Sequence, residues 1–337
     1  MAIENINEKL IVTESPHVRG RSTTSRVMLD VCIALIPALL AGTIIFGYRA
    51  LAMAMVCMLS AVGFEWLWCK ILKKPNSVGD FSAVVTGLLL ALNLPVTIPY
   101  WIAIIGTAFA IIIVKQFFGG IGHNFMNPAL AARAFLLSSW AGQMTTWVNP
   151  FSDTAVFFPA VDAMTSATPL YMLKEGATTD FPSYLQMFLG QMGGCIGEVS
   201  TLALLIGAAY LLMRRVISIR IPGAYLLTFG FFTFMLGGKG GLFTGDALRH
   251  VLSGGVMLGA LFMATDYVTT PYTKKGQIIF GIGCGLITAI IRLYGGYPEG
   301  ASYAILLMNV VSPLIDKYTA PKRFGAVKEK KAKESGC

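Results

Sequence analysis

The stretch VMLDVCIALIPALLAGTIIFG, residues 27–47, decides the class of fold. Its only charged residue is Asp30, and its length falls within the roughly 17–25 residues that a helix needs to cross the hydrocarbon core of a bilayer. The rest of the chain has a similar composition, with 55% hydrophobic and 13% charged residues over 337 positions and a mean hydropathy of +0.68. Soluble domains are about a quarter charged. The sequence therefore predicts an integral membrane protein.

Further apolar stretches of comparable length follow, and together they predict an all-α polytopic membrane protein with about ten transmembrane helices. The third stretch is short and ends at Pro95, so we expect a broken or re-entrant segment there. The fifth begins within the polar run GGIGHNFMNPALAARAF, residues 119–135, and we expect it to line the interior of the bundle. The predicted spans are 27–47, 50–70, 80–96, 98–115, 125–143, 186–213, 221–237, 247–266, 277–295 and 300–318.

The lysines and arginines determine the predicted orientation, since positive residues accumulate in cytoplasmic loops. With the N-terminus placed inside, 20 of the 26 lysines and arginines fall on the cytoplasmic side. This predicts a cytoplasmic segment at residues 1–25, a membrane domain at 26–318 and a basic cytoplasmic tail at 319–337. The loop 144–182 carries one lysine, no arginine and four acids, and it is expected on the extracytoplasmic side.

Ten spans divide into two halves of five, and an odd number in each half makes the halves run in opposite directions across the membrane. The third and eighth spans contain similar stretches, GDFSAVVTGLLLAL at 79–92 and GDALRHVLSGGVMLGAL at 245–261. This pattern favours a 5+5 inverted repeat with broken or short helices. Chance produces comparable similarity in helices rich in leucine and glycine, so both interpretations stay open.

The net positive charge and the cysteine spacing indicate which partners and which cysteine-based sites are not expected. The net charge of +9 comes mostly from residues between apolar spans, so nucleic acid is not expected as a partner. The six cysteines form no CxxC pair or ligand-spaced cluster, so we expect neither a disulfide framework nor a metal site. A metal site assembled from separate helices would leave no pattern in the sequence.

The stretch VDAMTSATPL, residues 161–170, is a polar patch within the predicted extracytoplasmic loop. In one interpretation Thr168 caps a short helix and Pro169 takes its first position. This explanation leaves the small hydroxylated residues before them without a role. In the other interpretation, a threonine flanked by small residues is open to an enzyme that esterifies its hydroxyl.

This stretch resembles the flavinylation motif of the family that comprises the B subunit of the Na⁺-translocating NADH:quinone reductase and the D subunit of the Rnf complex. In that family the motif is Ser/Thr-Gly-Ala-Thr, and its last threonine carries FMN through a phosphoester bond. By position the acceptor is Thr168, and the glycine of the motif is replaced by Ser166. A second Gly-Ala-Thr, ending at Thr178, lacks the leading hydroxyl and the following proline, so Thr168 is preferred. The remaining motif residues are Asp162 and Thr165.

The resemblance covers nearly the whole chain. It includes SPHVRG at 15–20, the polar run at 119–135 and MATDYVTTP at 263–271. With 337 residues and a short lead before the first span, the chain is more similar to the D subunit than to the generally longer quinone-reductase subunit.

The resemblance implies a membrane-embedded flavin subunit of a ferredoxin:NAD⁺ oxidoreductase complex that translocates Na⁺ or H⁺. Such a chain passes electrons through covalent FMN on Thr168 and is not catalytically complete alone. Its implied location is the cell membrane of a prokaryote, where it spans the bilayer many times with both termini in the cytoplasm. The implied partners are the other Rnf subunits, including a second extracytoplasmic subunit with covalent FMN, and a flavin transferase for maturation.

Charged residues within spans are costly and often functional. We expect some of them to reach water at span ends by snorkelling, namely Glu65, Asp246, Arg249 and Asp316. The better candidates for an ion path or a cofactor contact are Asp80, Arg133, Glu198 and Asp266. A second, noncovalent flavin (riboflavin) is known in the family, and His123, Asn124 and Asn127 are its candidate contacts. These three residues are equally explained by a glycine turn with Asn capping.

An inverted repeat with broken helices suits a secondary transporter or a solute channel as well as a redox subunit. Only the flavinylation motif separates these functions. A third alternative is a structural scaffold whose loop merely caps a helix.

Overall fold

The computed structural model describes residues 23–74, 77–151, 168–175, 181–238, 241–296 and 299–321. Helices dominate these residues, which confirms the all-α class predicted from the sequence. The helices are α1 Thr24–Phe46, α2 Tyr48–Ile71, α3 Ser82–Leu92, α4 Tyr100–Ala108, α5 Pro128–Ser139, α6 Ala141–Met144, α7 Pro169–Glu175, α8 Tyr184–Leu189, α9 Thr201–Met213, α10 Arg220–Leu236, α11 Ala247–Leu252, α12 Val256–Leu258, α13 Lys274–Tyr294 and α14 Ala301–Thr319. A 3₁₀ turn covers Val78–Asp80, and π-helical turns continue α4 through Phe109–Gln116 and α12 through Gly259–Met263.

Three helices in the described ranges, α1, α2 and α13, are long and apolar enough to cross a membrane by length and composition. Shorter apolar helices accompany them: α3, α9, α10 and the run Tyr100–Gln116. A helix in lipid satisfies its backbone groups internally, so a long apolar helix is a structure that a bilayer accepts. The chain is a membrane protein built from helices of unequal length.

Several predicted spans are interrupted. The break expected in the third span is confirmed, since α3 ends at Leu92 and the next helix begins at Tyr100. The prediction of a continuous sixth span at 186–213 is wrong. Its first helix, α8, ends at Gly190 in the left-handed conformation, and α9 begins only after Ser200 caps its first turn.

The eighth and fifth spans also differ from their predicted bounds. The eighth, predicted at 247–266, is divided because α11 ends at Ser253 and the chain passes through Gly254 at a positive φ of 66° before α12 begins. The fifth, predicted at 125–143, starts later. Asn127 accepts the N–H groups of Ala129 and Leu130 and so caps α5 at Pro128.

Close packing of α10 against α13 depends on glycine. A Cβ placed on Gly281 would lie 2.8 Å from the carbonyl oxygen of Ile221, and one on Gly285 would lie 2.7 Å from that of Tyr225. Glycine therefore lets the two backbones approach, as is typical of helix interfaces in lipid. Tyr225 also shares a 2.6 Å hydrogen bond with Thr288 across the same interface.

The aspartates of the two similar stretches, at 79–92 and 245–261, each accept a backbone N–H near the start of a helix. The Asp80 carboxylate accepts the N–H of Ser82 at 2.8 Å at the start of α3, and the Asp246 carboxylate accepts the N–H of Arg249 at 3.1 Å at the start of α11. Asp246 is the N-cap of α11, whereas α3 follows Phe81, which has a left-handed conformation and provides no side-chain cap. The two helix starts therefore differ, and the inverted repeat stays a prediction.

Candidate functional site

A cavity of about 460 Å³ lies between the start of α7, the polar face of α5 and the start of α14. Thr168 is part of its wall. The lining combines aromatic and apolar side chains with charged ones, which is typical of a small-molecule site. The lining includes the side chains of Arg133, Leu137, Trp147, Thr168, Tyr171, Met192, Glu198, Glu299 and Tyr303.

Thr168 is half-buried at the N-terminal end of α7. Its Oγ1 accepts the N–H of Tyr171 at 3.2 Å, so the capping role predicted from the sequence is confirmed. Helix α7 is tied to the end of α13 by Lys174, whose Nζ donates to the carbonyl oxygens of Gly295 at 2.7 Å and Gly296 at 3.1 Å. The hydroxyl is thereby held at a fixed point on the cavity wall.

A buried charged cluster forms the polar part of the same cavity. Arg133 Nη1 donates to Glu198 Oε1 at 2.8 Å and to Asn93 Oδ1 at 2.7 Å. Its Nη2 donates to Glu299 Oε2 and to Cys195 Sγ, the latter at 3.4 Å. Arg133 therefore joins chain segments that lie far apart in sequence.

This cluster places two carboxyl groups around one guanidinium. Arg133 and Glu198 have side chains only 5% and 3% exposed, and Glu299 is 22% exposed. One guanidinium thus faces two carboxylate groups at low dielectric, where interactions between charges are strong. Cys195, Glu198 and Glu299 offer ligand atoms within 4.8 Å of one another, but the guanidinium of Arg133 hydrogen-bonds to all three and disfavours a second cation there.

A second arginine lies behind the cavity wall. Arg292 is 3% exposed, and its Nη1 donates to the carbonyl oxygen of His250. Its Nε and Nη2 have no hydrogen-bond partner within the described part of the chain. Nη2 is 3.3 Å from the position that a Cβ on Gly254 would take, and Gly254 lines the cavity.

A smaller cavity of about 90 Å³ contains three of the residues predicted from the sequence, Asn124, Asn127 and Asp266. Both asparagines already have structural roles. Asn124 Nδ2 donates to the carbonyl oxygen of Met126 at 3.1 Å, and Asn127 caps α5 while its Nδ2 donates to the carbonyl oxygen of Met263 at 3.3 Å. The cavity is smaller than the roughly 300–1,000 Å³ of small-molecule sites, and a riboflavin contact at these residues stays a prediction.

The remaining predicted residues divide into three groups. His123 is exposed and is not part of the smaller cavity. Asp80 accepts the N–H of Ser82, the first residue of α3, and Ser82 lines that cavity. The motif residues Asp162, Thr165 and Ser166 lie outside the described residues. The four predicted ion-path residues are therefore distributed over two cavities, with Arg133 and Glu198 at the larger one and Asp80 and Asp266 near the smaller.

The expectation that Glu65 reaches water by snorkelling is wrong. Its side chain is 0% exposed and forms a 2.9 Å ion pair with Lys115. Ser77 and Gln116 donate to the same carboxylate at 2.6 and 2.8 Å, and Lys115 also donates to Ser82 at 2.6 Å. A carboxylate with this many donors is stable in the interior.

Four residues of the Arg133 cluster and of the Arg292 site are not predicted from the sequence, namely Asn93, Cys195, Arg292 and Glu299. Glu299 lies in a predicted loop, where an acid carries no signal. Arg292 lies within an otherwise apolar stretch, and its isolated charge is a usable signal for function. Asn93 and Cys195 give no separate signal.

Comparison with known proteins places this chain in a family. The sequence model of the NQR2, RnfD, RnfE family matches residues 11–325, and the chain belongs to that family. It is 54% identical to the D subunit of the Na⁺-translocating ferredoxin:NAD⁺ oxidoreductase complex of Acetobacterium woodii, over 96% of this chain and 97% of the relative. It is 45% identical to the D subunit of the proton-translocating ferredoxin:NAD⁺ oxidoreductase complex of Clostridium ljungdahlii, over 93% and 96% of the two chains. It is also 39% identical to the D subunit of the ion-translocating oxidoreductase complex of Stutzerimonas stutzeri, over 90% and 93%.

Proposed function

We propose that this chain is the D subunit of an ion-translocating ferredoxin:NAD⁺ oxidoreductase complex and that Thr168 carries FMN through a phosphoester bond. The similarity to subunits of that name extends over nearly the full length of both chains, which supports the first part. The observation that carries the second part is the position of Thr168 on the wall of the 460 Å³ cavity.

The residues around Thr168 suit a flavin. The cavity volume of about 460 Å³ lies within the range of pockets that bind small molecules. Trp147, Tyr171 and Tyr303 supply aromatic surface for a planar ring, and Leu137 and Met192 supply apolar contacts. The flavin, when bound, supplies the electron-transfer chemistry, and the protein binds, orients and tunes it.

The chain's own residues would hold the attachment point and limit the access of water. The Thr168 oxygen keeps lone pairs after esterification, so its hydrogen bond from the Tyr171 N–H remains possible. Leu170 is 3% exposed, and Lys174 fixes the other end of α7 on the carbonyl oxygens of Gly295 and Gly296. A short helix fixed at both ends gives the ester a defined position relative to the cavity.

The proposal includes an orientation and a set of partners. Both termini lie in the cytoplasm and the loop 144–182 lies outside, as the distribution of lysine and arginine favours. A flavin transferase would then modify the chain on the extracytoplasmic side. The electron partners are other subunits of the complex, including a second extracytoplasmic subunit with covalent FMN. The coupling ion is Na⁺ or H⁺, because both kinds of complex occur among the relatives.

The test is in-gel fluorescence of the denatured subunit, followed by mass mapping of peptides from 144–182. We expect a fluorescent band, the FMN mass on the Thr168 peptide, and loss of both in Thr168→Ala with membrane insertion retained. Thr145→Ala is the matched control, since Thr145 lines the same cavity and donates to the carbonyl oxygen of Ala141. Thr178→Ala tests the neighbouring Gly-Ala-Thr. A dark band from cells competent in flavin transfer would favour the transporter or channel instead.

A further inference from the structure

Arg292 is a buried cation whose donors are only partly used. Its side chain lies 3% exposed, with the guanidinium carbon 4.9 Å from the centre of the Phe229 ring. Its Nη1 donates to the carbonyl oxygen of His250, whereas Nε and Nη2 have no hydrogen-bond partner among the described residues. A buried charge of this kind costs several kcal/mol unless it is paired.

Arg49 shows how this protein satisfies a buried arginine of structural type. It is 1% exposed, and its guanidinium carbon is also 4.9 Å from an aromatic ring, that of Tyr100. Its Nε donates to the carbonyl oxygen of Val96 at 2.7 Å and its Nη2 to that of Ile98 at 3.1 Å. The two arginines share burial and a ring contact, but of the two only Arg292 has buried Nε and Nη2 atoms without a hydrogen-bond partner among the described residues.

The free donors of Arg292 lie next to the cavity that contains Thr168. A Cβ on Gly254 would be 3.3 Å from Arg292 Nη2 and 3.3 Å from Leu170 Cδ2. Both Gly254 and Leu170 line the cavity, and Leu170 follows Thr168 by two residues. Because residue 254 is glycine, no side chain from that position covers Nη2 on its cavity side.

The cation already in the cavity is not available to an anion. Each terminal nitrogen of Arg133 donates to two acceptors, and these include both Glu198 and Glu299. A further anion beside Arg133 would meet these two carboxylates. Arg292 is the cation near this wall whose described contacts leave two donors free.

We propose that Nε and Nη2 of Arg292 bind a phosphate-class anion through the Gly254 wall, and that this anion is the phosphodiester between FMN and Thr168. The proposal rests on the proposed function. A phosphodiester carries one negative charge and two free oxygens, which suits the paired donors of a guanidinium. Arg292 is a positioning residue: it neutralises the ester and fixes the phosphate end of the flavin.

The experiment is a thermodynamic cycle on the full-length protein in detergent, produced with and without flavin transferase. We expect flavinylation to raise the Tm of the unchanged protein, and this rise to be lost in Arg292→Gln. Arg292→Lys keeps the positive charge but lacks the paired N–H donors of a guanidinium, and it should retain part of the flavin-dependent rise in Tm. The matched control is Arg49→Gln, which should lower the Tm of both forms and leave the flavin-dependent rise unchanged.

The flavin-free form provides a second, independent readout. Flavin-free Arg292→Gln should be at least as stable as the flavin-free parent, because the substitution removes a buried charge whose donors are unpaired. If flavin-free Arg292→Gln instead unfolds, Arg292 is a structural residue and the proposal is overturned. An unchanged flavin-dependent rise in Arg292→Gln overturns it as well, while a fluorescent Thr168 peptide would leave the proposed function standing.

Two further Tm measurements identify the source of the anion. The flavin-free protein and its Arg292→Gln variant are each tested for Tm with inorganic phosphate and with vesicles containing an anionic phospholipid. Stabilisation by the vesicles that requires Arg292, without any effect of flavinylation, would assign the site to a lipid headgroup and overturn the flavin assignment. Loss of FMN from Thr168→Ala alone tests the proposed function and does not depend on Arg292.

Discussion

Arg133 Nη1 lies 2.8 Å from Glu198 Oε1, and this bond joins α5 to the irregular segment before α9. The bond is buried on both sides, since the two side chains are 5% and 3% exposed. Glu299 adds a second carboxylate to the same guanidinium from the segment before α14. Three parts of the chain thus meet at one cation on the wall of the Thr168 cavity.

Removal of Arg133 should be costly for this reason. Arg133→Met leaves the carboxylates of Glu198 and Glu299 without their cation, and we expect a loss of about 3–5 kcal/mol in the free energy of unfolding. The double variant Arg133→Met/Glu198→Met should lose less than Arg133→Met alone, because it removes one of the two orphaned charges. Thermal unfolding in detergent, followed by the amount of monodisperse protein, measures both. A double variant less stable than Arg133→Met would contradict this account.

The pair Glu65–Lys115 provides a second test of buried charge. Lys115→Met leaves a carboxylate that is 0% exposed, and we expect a loss of about 3–5 kcal/mol in the free energy of unfolding. The double variant Glu65→Gln/Lys115→Met should lose less than Lys115→Met alone, because it removes the buried charge while the amide oxygen can still accept from Ser77 and Gln116. Thermal unfolding in detergent measures both variants against the unchanged protein. A double variant less stable than Lys115→Met would mean that the charge of Glu65 is not the cause.

Two glycines on α13 offer a matched comparison of backbone and side-chain contacts. A Cβ on Gly281 would meet the Ile221 carbonyl oxygen at 2.8 Å, whereas a Cβ on Gly283 would meet the end of the Met308 side chain at 2.5 Å. Methionine can adopt another rotamer, but the α10 backbone cannot move without separating the helices. We expect Gly281→Ala to cost roughly 1–3 kcal/mol and Gly283→Ala to cost less. Similar Tm losses in the two variants would argue against the close approach of α10 and α13.

The helical class and several helix bounds follow from the sequence because apolar length and polar interruption act locally. Pro95 correctly marks the break after α3, and the Thr168-Pro169 pair correctly marks the start of α7. The break within 186–213 is not evident from the sequence, since glycines at 190, 193 and 194 are common in transmembrane helices and do not by themselves end one. Here Gly190 takes a left-handed conformation and Ser200 starts a new helix.

The site is only partly visible in the sequence for a different reason. Local patterns indicate Thr168, Arg133 and Glu198 separately, and the structure brings them to one cavity. Their partner Glu299 lies 166 positions from Arg133, and no periodicity connects residues at that separation. The distinction between Arg292 and Arg49 depends on which carbonyl groups are within reach, and this is a property of the folded chain alone.

The orientation of the chain is the last prediction. In a cysteine-free background, a cysteine introduced at Ser152 should react with a membrane-impermeant maleimide added to intact cells, because the loop 144–182 is expected outside. The control is a cysteine at Lys73, just after α2, which should react only after the membrane is opened or in inverted vesicles. The proposed flavin transfer to Thr168 requires the same side as Ser152, so the two measurements should agree. Labelling of Ser152→Cys from the cytoplasmic side only would reverse the topology, and it would place Thr168 where an extracytoplasmic transferase cannot reach it.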